Sequence, residues 1–257
     1  MKRRHFLTTA SGAIAATTLT RCGTKDRPTL RICSWADYLS PELAAKFEKD
    51  NKCTLQIDTS DSNEAIYAKL TSGNGSYDLA IPSSYMVKKL VRENKLATLD
   101  HSKLRNLKHV DQAYLQRALD PAMTHSVPYM MACTCLAWHK SKVEDAVPSY
   151  AMLDRTDLKG RITLLDDMRE VLGAALRSHG HSINSTDAAQ LSQARDTAIR
   201  WKRNIARFDN KDYKNGIASG ELDLVQGYTG DLLRIAEEDG DIEVRIPREG
   251  SAFSCDD

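Results

Sequence analysis

Three acidic side chains lie close together in the sequence LLDDMREVL at positions 164–172. Asp166 and Asp167 end an apolar run, and Glu170 follows Asp167 by three residues. One interpretation is structural, because an aspartate before a helix caps it and the helix dipole favours a glutamate in the first turn. The other is chemical, because clustered carboxylates bind cations and also serve as acid–base groups or Mg²⁺ ligands. Both stay open, since a helix N-terminus at a cleft can serve both purposes.

Polar and aromatic residues also follow two other apolar runs. Trp35 ends the run TLRICSW, and Ser83 and Ser84 end the run YDLAIPSS. In open parallel sheets, ligands bind outside the carboxyl ends of the strands, so these residues are expected at a shared edge. Trp35 and Tyr38 are three positions apart, and packing of their rings against each other is the alternative to a ligand-binding role.

The order of elements that would position these residues predicts an α/β fold. Strand-like runs in the first half alternate with helical segments and lie at 29–35, 53–60 and 77–84. This order is typical of an open parallel sheet, and the third run is apolar enough to be buried on both faces. A second α/β unit has strand-like runs at 161–167, 222–228 and 242–250. The long apolar run at 126–139 is the expected crossing between the two units.

Composition narrows the classes of function. The 257 residues include 36 basic and 35 acidic side chains, and a net charge of +1 argues against a nucleic-acid partner. The sequence contains no GxSxG, HExxH or GxGxxG motif, so it predicts no metal or cofactor. His179 and His181 flank a glycine after a predicted helix, where a helix cap is expected rather than a metal site. Trp138 and Trp201 are interpreted as packing residues.

The first 22 residues predict an export signal. A basic start, with Arg3-Arg4 followed by Phe6-Leu7, precedes a short apolar stretch and resembles a twin-arginine signal. LTRC resembles a lipobox in which Cys22 carries the lipid, although Arg21 departs from the small residue of that pattern. A basic tail without export function is the alternative. Cys133 and Cys135 would face the same side of a strand and are interpreted as small apolar residues rather than a redox or metal pair.

Several segments, read in order, resemble one family. They are CSWADYLSPEL, SNEAIYAKLTSGNGSYDLAIPSSYMV, SVPYMMACT, KGRITLLDDMREVLGAAL, DLVQGYTGD and PREGSAFSCDD. Together they are similar to the periplasmic spermidine/putrescine-binding proteins of polyamine ABC importers. The resemblance implies a two-lobed, type II periplasmic-binding-protein-like α/β fold, with lobe I at 28–132, lobe II at 133–257 and extended crossing strands. It also implies a monomeric, extracytoplasmic protein that delivers its ligand to membrane permease subunits.

The resemblance further implies a ligand-binding set at the cleft. Its members match family positions and are Trp35, Asp37, Tyr38, Ser83, Tyr85, Asp167, Glu170, Tyr228 and Asp256. Such a set suits a polyamine, because carboxylates bind its ammonium groups and aromatic rings contact both its methylenes and its cations. Tyr228 and Ser254 stand where the family commonly has tryptophan.

Family members also continue beyond the position that matches Asp257. The resemblance therefore implies that the C-terminal return segment is missing here, which would expose sheet edges and apolar faces. Two other functions stay open. The carboxylates of the LLDDMREVL segment could serve a Mg²⁺-dependent hydrolase or transferase, and the chain could be a degenerate lipoprotein that binds no ligand.

Overall fold

The computed structural model describes residues 27–72, 77–115 and 119–257 and contains two separate β-sheets. The first sheet has three parallel strands in the order β2-β1-β3, namely β1 (Thr29–Ser34), β2 (Thr54–Thr59) and β3 (Leu79–Ala80). The parallel order agrees with the sequence pattern. The prediction for the third strand is wrong in its length and burial, because β3 has two residues and the Leu79 side chain is 51% exposed.

Two helices of the first lobe begin at serine caps that the sequence provides. Ser40 Oγ accepts a hydrogen bond from Leu43 N, and Pro41 occupies the first helical position, as the pattern SPE predicts. Ser62 caps the next helix in the same way. The helices are α1 (Pro41–Asn51), α2 (Asn63–Thr71), α3 (Ser84–Arg92) and the short α4 (Gln112–Leu115).

The second lobe contains a mixed sheet in the order β6-β5-β7-β4-β8, with β9 paired to β4 outside this path. Its strands are β4 (Met130–His139), β5 (Ile162–Leu164), β6 (Ile205–Phe208), β7 (Leu224–Tyr228), β8 (Ile242–Arg245) and β9 (Phe253–Asp256). Its helices are α5 (Met168–Ser178), α6 (Ala188–Lys202), α7 (Tyr213–Ala218) and α8 (Thr229–Glu238). Strands β6 and β9 were not predicted, and a short 3-10 helix lies at Tyr150–Asp154.

The β4 strand carries the chain between the two sheets. Its first part pairs antiparallel with β9, from Met130 opposite Asp256 to Cys133 opposite Phe253. Its second part pairs with β7 and β8. Ser83, at the start of α3, forms an isolated bridge with Asp256. The predicted two-lobed fold with extended crossing strands is confirmed, whereas the exact boundary between 132 and 133 falls inside β4 and stays a prediction.

The main apolar core belongs to the second lobe. Two clusters of buried side chains there include Leu164, Trp138 and Trp201 in one and Tyr213 and Ile217 in the other. The packing role predicted for both tryptophans is therefore confirmed. Helix α1 of the first lobe, in contrast, has no fully buried residue.

The cysteines and histidines agree with their structural interpretations. Cys135 is buried on β4, and burial raises the pKa of its thiol to about 12. His179 is the C-cap of α5. Within the described ranges, no group of three or more His, Cys, Asp and Glu side chains could hold a metal ion. In the same ranges, no helix has the length and apolar character to cross a membrane. The predicted export signal and Cys22 lie outside the described residues.

Candidate functional site

Asp256 connects the crossing strands to the first lobe. Its carboxylate accepts a hydrogen bond from the Tyr38 hydroxyl, and its Oδ1 accepts one from Ser83 Oγ at 2.6 Å. Asn63 fixes Ser83 in turn, because its Nδ2 donates to Ser83 Oγ at 3.0 Å and its Oδ1 accepts from Ser83 N at 2.9 Å. Asn63 was not predicted as a site residue, although it lies in the family-like segment SNEAIYAKL.

Burial dominates the electrostatics of Asp256. Loss of hydration raises the pKa of the carboxyl group, and the hydrogen bonds from Ser83 and Tyr38 act in the opposite direction. Burial and the negative charge of Asp256 also raise the pKa of the Tyr38 hydroxyl, so the hydroxyl stays a donor. An ionised carboxylate has further acceptor capacity, so Asp256 can still pair with a cation.

Aromatic rings lie beside this carboxylate. The ring centroids of Trp35 and Tyr38 are 6.4 Å apart, and those of Tyr38 and Tyr129 are 5.9 Å apart. Tyr129 also donates from its hydroxyl to the backbone oxygen of Tyr38 at 2.7 Å and was missed by the sequence analysis. The rings thus pack as the alternative interpretation expected. Trp35 Nε1 is nevertheless buried with no hydrogen-bond partner among the described residues, so packing alone does not satisfy it.

Asp167 is the N-cap of α5. Its Oδ1 accepts hydrogen bonds from Arg169 N at 2.8 Å and Glu170 N at 3.2 Å. The structural interpretation of the LLDDMREVL segment is therefore correct for this residue. Both cap bonds use the same oxygen, which leaves Oδ2 outside the cap, so capping does not exclude a second role toward a ligand.

Glu170 projects toward β4. Its Oε2 accepts a hydrogen bond from Thr134 Oγ1 at 3.0 Å, and Thr134 Oγ1 lies 2.7 Å from Ser251 Oγ. Burial raises the pKa of Glu170 from 4.5 to about 7, the bond from Thr134 lowers it, and the negative charge of Asp167 raises it. Among the described residues, Glu170 forms no ion pair with an arginine, and Arg177 instead donates to Glu249 O at 2.6 Å.

Tyr228 ends β7 and pairs with Thr134 of β4, the residue whose hydroxyl donates to Glu170. Burial raises the pKa of the Tyr228 hydroxyl most strongly, and the negative charges of Asp167, Glu170 and Asp256 raise it further. Asp167 and Glu170 lie at the start of α5 and Asp256 lies on β9, so charges from two separate parts of the sequence act on one hydroxyl. The predicted aromatic position on β7 therefore lies within range of the charges of three predicted acidic positions.

Two predicted residues contact protein cations. The guanidinium carbon of Arg169 lies 4.0 Å from the ring centroid of Tyr85, and burial together with the charge of Glu64 raises the pKa of Tyr85 to about 12. Asp37 has a positive φ of 60° and a side chain that is 75% exposed. Its Oδ2 lies 3.3 Å from Lys214 Nζ of the second lobe.

The structure thus brings together most of the predicted ligand-binding residues, and Asp37 lies at the edge of this group. Direct bonds, ring contacts or mutual electrostatic effects connect Trp35, Tyr38, Ser83, Tyr85, Asp167, Glu170, Tyr228 and Asp256. Asp37 instead forms an ion pair with Lys214. Their function as ligand contacts stays a prediction.

Comparison with known proteins places this arrangement in a family. Residues 42–256 match the family model described as bacterial extracellular solute-binding protein. The chain belongs to this family. The match begins after β1, so Trp35, Asp37 and Tyr38 lie outside it, whereas the other predicted site residues lie within it.

The relatives share both sequence and fold with this chain. The spermidine/putrescine-binding periplasmic protein of Escherichia coli is 33% identical over 255 residues, which cover 98% of this chain and 72% of that protein. The putrescine/cadaverine-binding protein of Pseudomonas aeruginosa is 29% identical over 242 residues, covering 88% and 68% of the two chains. The crystal structure of the TpPotD lipoprotein of Treponema pallidum superposes with a TM-score of 0.82 at 31% identity, covering 89% of this chain and 73% of that one.

Proposed function

We propose that this protein captures a polyamine between its two lobes and delivers it to an ABC importer. The observation that carries the proposal is the contact of Asp256 on β9 with Tyr38 and Ser83 of the first lobe, where the Tyr38 ring also packs beside Trp35. The relatives named above are spermidine-, putrescine- or cadaverine-binding proteins, which supports the same class of ligand.

The arrangement suits an elongated polycation. Several carboxylates close to one another repel, and the cost of burying them is offset when ammonium groups pair with them. The rings of Trp35, Tyr38 and Tyr228 provide flat surfaces for methylenes and for cations. A monovalent metal ion would bind the carboxylates, but it has no methylene groups to pack against the aromatic rings.

The hydrolase alternative fits the geometry poorly. It needs the three acidic groups of the LLDDMREVL segment to act together on Mg²⁺ or on a water molecule. Instead, Asp167 caps α5, Glu170 binds Thr134 and Asp166 is exposed. We therefore propose a binding protein without catalytic activity.

The cellular setting is part of the same proposal. Membership in an extracellular family places the protein outside the cytoplasm. We propose that the first 22 residues direct export, that Cys22 carries a lipid anchor and that the protein acts as a monomer beside the permease subunits. Radiolabelled palmitate incorporation into the wild-type chain, but not into a Cys22→Ala variant, tests the anchor.

Isothermal titration calorimetry with putrescine and spermidine, and with MgCl₂ as a separate arm, tests the binding function. Heat with a polyamine alone supports the proposal, heat with Mg²⁺ alone supports the hydrolase, and no heat in either arm supports the degenerate lipoprotein. Asp256→Asn should reduce polyamine affinity by about 1.5–3 kcal/mol, the range for a hydrogen bond to a charged group. Asp196→Asn, an exposed change on α6, should leave the affinity unchanged.

A further inference from the structure

Lys214 places an ammonium group between carboxylates of the two lobes. Its Nζ lies 3.3 Å from Asp37 Oδ2 in the loop after β1 and 3.7 Å from Asp231 Oδ1 in the first turn of α8. The Lys214 side chain is only 22% exposed, so the charge is partly withdrawn from water. A partly buried lysine between two acids is held more firmly than an ordinary surface lysine.

Both carboxylates border the proposed polyamine site. Asp37 directly precedes Tyr38, which donates to Asp256. Asp231 accepts a hydrogen bond from Tyr213 at 2.7 Å, and its negative charge acts on the Tyr38 hydroxyl. The ammonium group of Lys214 therefore lies at one end of the cluster of acids and rings.

A lysine side chain presents the same chemical group as the ligand. It is a chain of methylenes that ends in a primary ammonium, as each end of putrescine and spermidine does. Resting on the proposed function, we infer that Lys214 determines ligand length: its ammonium fills the place that an additional ligand ammonium would take, so the site selects diamines over triamines.

The selection has a simple electrostatic basis. A triamine that extends to Asp37 and Asp231 must displace Lys214, which leaves that ammonium near another positive charge and without its partners. A diamine that pairs with Asp256 and the acids of α5 avoids this cost. Discrimination by a repulsive group of this kind is a common way to obtain specificity.

A second interlobe ion pair provides the matched control. Lys211 Nζ lies 2.7 Å from Asp61 Oδ2, and both side chains are more than half exposed. Lys211 and Lys214 therefore both connect α7 and the loop before it to the first lobe. Removing either one weakens the contact between lobes, but only Lys214 lies next to the residues that bind Asp256.

The test measures putrescine and spermidine affinities by calorimetry for the wild type and for Lys214→Gln, Lys214→Arg and Lys211→Gln. Lys214→Gln should improve the affinity for spermidine relative to putrescine about tenfold, because the competing charge is gone. Lys214→Arg keeps the charge and should keep the wild-type ratio. Lys211→Gln should change both affinities by the same factor.

An unchanged ratio in Lys214→Gln, with putrescine still bound, overturns the inference and leaves the proposed function intact. Lack of binding of both polyamines by the wild type overturns the proposed function and the inference together. Thermal unfolding of each variant verifies folding, and Lys214→Met serves as the second charge-removing variant if the glutamine variant unfolds.

Discussion

The two lobes differ in how they are stabilised. The second lobe has buried apolar clusters that contain both Trp201 and Tyr213, each almost inaccessible to solvent. The first lobe has a narrow sheet with Ile32 and Cys33 buried, but Leu79 of β3 and Leu43 and Phe47 of α1 are exposed. Burial of apolar surface is the main driving force for folding, so the second lobe holds most of the stability.

Contacts from the second half of the chain therefore matter to the first lobe. Ser84 Oγ donates to Cys255 O at 3.1 Å, and Asp257 N donates to Pro82 O at 3.0 Å. Together with the Ser83–Asp256 bond, these contacts hold the start of α3 against β9. The same segment that supports the less buried lobe therefore also contains Asp256, the acidic residue proposed to bind the ligand.

The largest expected effect is the difference in stability loss between an alanine substitution in the second sheet and one in the first. Leu164→Ala on β5, where the side chain is 1% exposed, should lower the free energy of unfolding by about 2–5 kcal/mol because it leaves a cavity. Leu79→Ala on β3, where the side chain is 51% exposed, should cost less than about 1 kcal/mol. Urea denaturation monitored by circular dichroism measures both. Equal losses would contradict the proposed difference between the lobes.

Asp167→Asn should weaken polyamine binding by about 1.5–3 kcal/mol, because the amide removes a negative charge from the site. Stability should change little, since asparagine caps helices about as well as aspartate. Asp187→Asn is the matched control, because Asp187 caps α6 in the same lobe by accepting from Gln190 N at 2.9 Å. Calorimetry and thermal unfolding of both variants measure the two effects, and unchanged affinity in Asp167→Asn would reduce that residue to a cap.

The smallest effect concerns the pH dependence of Glu170. Its pKa is about 7 in the folded state and ordinarily 4.5, so between these values the folded protein keeps a proton that the unfolded chain has lost. The free energy of unfolding should therefore fall by about 1–3 kcal/mol as pH rises through this window and level off above it. In Glu170→Gln, urea midpoints measured across the same pH range should not show this decrease in stability.

A glutamate-to-glutamine substitution at an exposed position is the control for this titration. Glu42→Gln in the first turn of α1 should keep the wild-type fall between pH 4.5 and 7. Polyamine affinity should rise with pH through the same window, because a bound ammonium favours the ionised form of Glu170. An affinity that does not vary with pH would place Glu170 outside the ligand contacts.

Local sequence patterns predicted most elements, and the exceptions have a common cause. Helices α1, α2 and α5 begin at the serine or aspartate caps that the sequence shows, because capping involves only neighbouring residues. Strand β9 was missed because FSCD is a strand through its pairing with the first part of β4, a contact between residues far apart in the sequence. Strand β3 was overextended because burial depends on what covers a strand as well as on its composition.

The amino-acid sequence by itself determined the α/β class, the helix starts, the family resemblance and the types of residue at the strand ends. Only the tertiary structure decided which of these residues meet. Tyr38 and Ser83 bind Asp256 across more than half of the chain, and Lys214 reaches Asp37 in the other lobe. The physical reason is that hydrogen bonds and ion pairs act over a few ångströms, so their partners depend on chain topology rather than on spacing along the sequence.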